Sequence, residues 1–109
     1  MKVVNLTPHT LNVCNAEGDP LAEFPPSGKT ARIDVQYRQT GRLNLDETDV
    51  PVFEAEYGDI EGLPAPEEGV VFVVSGMVKA QTDREDVFSP GELIRDEDGN
   101  PKGCKGLKG

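Results

Sequence analysis

The sequence has no tryptophan, one histidine (His9), two tyrosines and four phenylalanines. Large side chains supply much of the area a core buries, so their scarcity predicts a thin core and further burial at a subunit interface. Cys14 and Cys104 are the only cysteines. With a single histidine at unrelated spacing they fall short of a zinc site, and no metal is expected. Without secretory context the two thiols read as reduced, and a disulfide is left open. No apolar run approaches the roughly 20 residues of a transmembrane helix, and Met1 to Leu6 lacks the long apolar stretch of a signal peptide. A cytoplasmic location and no membrane partner are expected. Phosphate-binding, dinucleotide-binding, serine-hydrolase and zinc-protease motifs are also missing, which favours binding without catalysis and no cofactor.

Positive charge is scarce as well. The chain of 109 residues has a net charge of −9, which argues against nucleic-acid and anionic-membrane partners, because those reward clustered Lys and Arg. From Leu43 to Val78 there is no Lys or Arg, while Asp46, Glu47, Asp49, Glu54 and Glu56 fall within that span. A solvated acidic face explains this most simply; mimicry of nucleic acid is the sharper alternative.

What the chain has in quantity is glycine and proline, twelve and nine. That punctuation suits short strands and tight turns, and predicts a mainly β or β-rich α+β fold in one domain over 1–109: a compact antiparallel sheet or partly open barrel with one short helix. Lys2 to Leu6 reads as a strand. Thr10 to Cys14 alternates, with Leu11 and Val13 inward, and is predicted to form a hairpin with Leu21–Phe24 across the turn at 15–20. Ala31, Ile33, Val35 and Tyr37 share one face of the next strand, which Gly41 is expected to turn. Leu43 and Leu45 suggest a weak strand; Phe53, Ala55 and Tyr57 share a face of another that Gly58 ends. The continuous apolar run Val70–Val74 predicts a strand covered on both faces at the centre of the fold. A short helix is expected over 76–81. Asp98-Gly99 signals a hairpin between Glu92–Arg95 and Pro101–Cys104, with a frayed tail over about 105–109.

Several residues could carry chemistry. His9 follows Pro8 at a strand break, placed either to reach a cleft or to be satisfied in a structural corner. His9-Thr10-Leu11 superficially matches the His-x-Thr element of two-histidine phosphoesterases, a chemistry needing two such histidines. Pro25-Pro26-Ser27-Gly28-Lys29 reads as an anion-binding nest or a hairpin turn. Arg84 could take a phosphate while Asp86 accepts from a ribose or base, or the two could simply pair. Arg32 and Arg95 are further cations that a cleft might gather.

Taken together, Val4-Asn5-Leu6-Thr7-Pro8-His9, Pro26-Ser27-Gly28 with Ala31-Arg32, Tyr57-Gly58 to Gly62-Leu63-Pro64, Val73-Val74-Ser75, Arg84-Glu85-Asp86-Val87, and Pro90-Gly91 through Arg95-Asp96 to Gly103-Cys104 resemble a widespread family of small phage, prophage and bacterial proteins beginning Asn-Leu-Thr-Pro-His. The resemblance covers nearly the whole chain. In size, acidity and expected assembly the chain is similar to the phage sponges called Sequestin. Such sponges hold immune signals, among them the cyclic ADP-ribose isomers of Thoeris and the cyclic dinucleotides of CBASS. The resemblance implies a homo-oligomer in the infected bacterial cytoplasm that sequesters a nucleotide-derived signal without cleaving it. Its expected pocket, near subunit interfaces, is lined by Asn5, Thr7, His9, Arg32, Tyr57, Ser75, Arg84 and Asp86. Two alternatives stay open: a phosphodiesterase with His9 as general base, helped by Thr7 and Arg84, and a structural or accessory phage protein without a small ligand.

Overall fold

The computed structural model describes residues 1–109. Its elements are β1 (Lys2–Asn5), β2 (Leu11–Cys14), β3 (Pro20–Phe24), β4 (Arg32–Leu45), β5 (Thr48–Glu61), β6 (Val70–Val73), α1 (Gly76–Lys79), β7 (Val87–Arg95) and β8 (Pro101–Lys108). The fold is mostly β, and six strands form one sheet in the order β1-β6-β7-β8-β2-β3. The sheet curls into a nearly closed barrel. Its two edges meet at Asn5, the last residue of β1, whose amide donates to the Phe24 carbonyl of β3 at 3.0 Å. The Ser27 amide donates back to the Asn5 carbonyl at 3.0 Å.

The predicted antiparallel sheet is corrected to a mixed one. β1 and β7 both flank β6 in parallel, and β2 runs parallel to β8, whereas β2–β3 and β7–β8 are antiparallel. Strand alternation cannot reveal direction, because the side-chain period is the same either way. The apolar run at 70–74 does lie between two strands, and Val73 and Val74 are fully buried. Around it Leu6, Ala31, Phe72, Val78 and Val87 form the core, with Ile33, Ile60 and Leu63 packed against it. Only 14 of 109 residues are buried, so the core is as thin as the lack of large side chains implies.

β4 and β5 form a separate two-stranded ribbon with one continuous ladder from Arg32↔Glu61 to Leu45↔Thr48. Two expectations fail here. Gly41 does not turn the chain and Gly58 does not end the strand; each sits at a register shift within the ladder. A glycine inside a strand often marks a bulge, which bends and twists it without ending it. The turn falls instead at Asp46 and Glu47, with φ of 48° and 68°. Positive φ at both central residues marks a type I′ turn, a favoured two-residue hairpin loop. Ile33 and Ile60 anchor the ribbon on the core; beyond them it leaves the barrel, and Tyr37 is 71% exposed.

Three smaller corrections follow. In β2 the residues buried are Leu11 and Cys14, not Leu11 and Val13, because the pairing with β3 slips between Val13 and Cys14. The helix is shorter than 76–81, running from Gly76 to Lys79 with Ser75 as its N-cap. The tail is not frayed: β8 runs on to Lys108, which pairs with Ser89. This pairing satisfies the backbone at the start of β7, and it is close. A Cβ on Gly91 would overlap the Lys105 carbonyl oxygen, so residue 91 needs to be glycine.

Candidate functional site

A cleft of about 680 Å³ opens where the β1–β2 connection, the start of α1 and the β7–β8 pair converge. Its polar wall includes His9, Thr10, Asn12, Ser75 and Lys102, and its apolar wall includes Leu11, Leu93 and Pro90. The volume lies in the range of small-molecule sites, which combine an apolar lining with a few fixed polar groups.

The corner carrying His9 is built by Asn5. This side chain is 2% exposed. Its amide donates to the His9 carbonyl at 2.7 Å as well as to Phe24, while its oxygen accepts from the Thr7 amide at 3.0 Å and the Thr7 hydroxyl at 2.7 Å. The Thr7 hydroxyl oxygen in turn accepts from the His9 amide at 3.3 Å. Every polar atom of Asn5 is thus used to hold backbone or to hold Thr7. The corner holds the backbone of His9 through its carbonyl and amide. No hydrogen bond within the chain engages its imidazole, which is exposed in the cleft.

Ser75 does two jobs. Its hydroxyl oxygen accepts from the Val78 amide at 3.3 Å, capping α1. Its hydroxyl hydrogen makes no hydrogen bond within the chain and is available as a donor, since a hydroxyl carries one donor and two acceptor positions. Lys102 supplies a cation and makes no ion pair. Cys104 also lines the cleft. Burial pushes its thiol above the usual cysteine range, with the Gly91 backbone hydrogen bond opposing and Cys14 adding slightly, so it stays protonated and weakly nucleophilic. The register sets Cys104 opposite Val13 rather than Cys14, and both thiols are free.

Of the eight residues expected to line a pocket, Thr7, His9 and Ser75 line this cleft. Asn5 lies behind it. The other four do not reach it. Arg84 and Asp86 pair at 2.7 Å, and Arg84 also donates to the Pro64 carbonyl at 2.8 Å and lies 5.8 Å from the centre of the Phe72 ring. The mutual hydrogen bond raises the Arg84 pKa and holds the Asp86 carboxyl below the usual range. With three of its five N–H donors taken, Arg84 clamps Pro64 of the 62–66 loop to Asp86 in the α1–β7 connection. Arg32 and Tyr57 belong to the ribbon, where Arg32 faces Glu61 and Tyr57 faces Val35. Arg95 closes the β7–β8 turn by donating to the Gly99 carbonyl at 2.8 Å.

The Pro25–Lys29 segment is not a hairpin turn: it bends at Gly28 and connects β3 to β4, which belong to different sheets. The Ser27 hydroxyl accepts from the Lys29 amide at 3.3 Å, and the Ser27 amide is committed to Asn5. No three His, Cys, Asp or Glu side chains converge. No helix is long and apolar enough to cross a membrane.

Sequence reasoning missed Lys102, Thr10, Asn12 and Leu93. The hairpin signal at Asp98-Gly99 placed Pro101–Cys104 beside β7, but only the parallel β2–β8 pairing brings that segment to His9. No protein-family model matches the chain, and neither a curated protein nor a solved structure matches it.

Proposed function

We propose that this protein binds and sequesters a small anionic, nucleotide-derived ligand in the His9–Lys102 cleft without chemically changing it. The observation that carries this reading is the Asn5–Thr7 corner. It commits buried polar side chains to fixing the backbone of His9 while leaving the imidazole without a partner. A site held rigid before its ligand arrives loses less ordering entropy on binding, which is what a tight, non-turnover binder needs.

Cation and donors suit the same ligand class. Lys102 and the Ser75 and Thr10 hydroxyls supply donors for phosphate oxygens, and Leu11, Leu93 and Pro90 supply an apolar wall for a base or ribose face. In an acidic chain such a ligand is retained only where a local cation offsets the surrounding field. The resemblance to phage sponges of immune signals points to cyclic ADP-ribose isomers and cyclic dinucleotides. Hydrolysis is less well supported, because Arg84, expected to stabilise the phosphorus centre, is locked to Asp86 and Pro64 outside the cleft.

The test is calorimetry against a panel of cyclic ADP-ribose isomers and cyclic dinucleotides at physiological salt, followed by heat denaturation and mass spectrometry of the released molecule. Intact ligand with submicromolar affinity is expected. Lys102→Ala and His9→Ala should each weaken binding about 10- to 100-fold, the range for a lost charge-assisted hydrogen bond. Absence of binding across the panel would sink the reading, and a linear product would replace it with a phosphodiesterase.

A further inference from the structure

The β4–β5 ribbon is exposed on both faces, yet it is not polar on both faces. Near the barrel, Val35, Tyr37, Phe53, Ala55 and Tyr57 share one face by register. Past the shift between Gln39 and Gly41 the apolar groups change sides, and Leu43, Leu45, Val50 and Val52 share the other. Tyr37 is 71%, Leu43 54%, Phe53 53% and Leu45 52% exposed. Isolated two-stranded ribbons are marginal in water, and each half of this one presents its own group of exposed apolar side chains, of the kind that marks an interaction surface. The bulge adds twist where the apolar groups change sides, so a neighbour that covers both patches must contact opposite faces of the ribbon along its length.

The molecule exposes more surface than a compact chain of its mass. A compact monomer of 11.8 kDa should expose about 5,900 Å², whereas this chain exposes 7776 Å². Its radius of gyration is 17.6 Å, against about 13 Å for a compact chain of this length. The excess is about 1,900 Å² per chain. Covered on two copies, it would amount to about 3,800 Å², inside the range of permanent homodimers and about twice what a standard-size interface needs.

Charge favours a second copy over an unrelated partner. From Leu43 to Glu61 the ribbon carries no Lys or Arg, and its tip presents Asp46, Glu47 and Asp49. Strand β8 is the reverse: beyond Lys102 at the cleft, Lys105 and Lys108 are exposed and the strand itself contains no Asp or Glu, Glu92 of β7 standing opposite Lys105. We infer that the β4–β5 ribbon is an arm that grips the barrel of a second copy of this chain, its acidic tip meeting the partner copy's basic β8. The contact does not depend on the cleft holding a nucleotide.

Analytical ultracentrifugation at about 10–100 µM protein is expected to give a mass of twice the 11.8 kDa chain. Tyr37→Asp/Phe53→Asp should reduce it to that of one chain with the β-sheet circular dichroism retained, since both side chains are outside the core. Charge reversal at the tip, Asp46→Lys/Glu47→Lys/Asp49→Lys, tests the same contact without touching the apolar stripe. It should weaken self-association at least tenfold, and Lys105→Glu/Lys108→Glu in the same chain should restore it. A wild-type protein that sediments as one chain at 100 µM would overturn the inference. So would an oligomer that persists in the tip variant and in whichever arm variant folds.

Discussion

At the scale of single residues, the highest concentration of polar commitment is Asn5. It closes the barrel through Phe24 and fixes the corner through Thr7 and His9. Asn5→Ala should cost about 3 kcal/mol, because it strands buried backbone groups as well as deleting the bonds. Urea unfolding, read by the shift in midpoint at constant slope, measures the loss. Its near neighbour in importance is the Arg84–Asp86 clamp, whose side chains are 25% and 22% exposed. The Asp86 pKa is depressed in the folded state, so its contribution is complete above the unfolded carboxylate value near 3.9 and is lost as pH falls through the lower folded value. Asp86→Asn should therefore lower stability by about 1–2 kcal/mol above pH 5 and by progressively less below pH 4. Denaturation midpoints of the two proteins, compared between pH 3 and 7, check the sign and the window.

At the scale of elements, the ribbon and the C-terminal strand are where local signals misled. Asp46 and Glu47 occupy a turn that favours Asn-Gly, and both sit at positive φ. Glu47→Gly should relieve about 1 kcal/mol of backbone strain. Because an exposed ribbon opens on its own, the gain belongs in local exchange rather than in the global midpoint. Amides across β4 and β5 should exchange roughly fivefold more slowly, with those of β6 unchanged. The same ribbon explains why a chain so rich in charge still alternates so cleanly. Arg38 bridges to Glu54 at 3.5 Å and Glu56 at 2.7 Å on one face, leaving the opposite face to the aromatics. These exposed ion pairs add little stability; in the half of the ribbon near the barrel they occupy the face opposite Tyr37 and Phe53.

At the scale of the whole molecule, barrel and arm divide the work. The barrel concentrates the few buried residues around β6 and brings β2 beside β8, which creates the cleft. A ligand that binds only this folded arrangement must stabilise it. At a hundred times its dissociation constant a bound cyclic nucleotide should add about 2.7 kcal/mol, raising the melting temperature by roughly 10 °C or more. Differential scanning fluorimetry of wild type and Lys102→Ala, with and without ligand, separates this from a non-specific salt effect, because the variant should lose most of the shift.

Much of the architecture followed from the chain alone. The strands around Val3, Leu11, Val35, Phe53 and Phe72, the Asp96–Asn100 turn and the thin core all rest on local properties: side-chain period, turn chemistry and the supply of large apolar groups. His9 stands at a break between strands that is visible in the sequence, and the structure places it with Thr7 and Ser75 on the wall of one cleft. What depended on the tertiary structure was every fact about direction and distance. Whether β2 pairs with β8, whether Gly41 bends a strand or ends it, and whether Arg84 faces a cleft or its own neighbour Asp86 depend on partners far away in sequence. Lys102 shows this most plainly. As a residue in a hairpin it has no distinguishing mark, and it becomes the cation of the cleft only because a parallel ladder, formed between segments some ninety residues apart in the chain, carries it to His9.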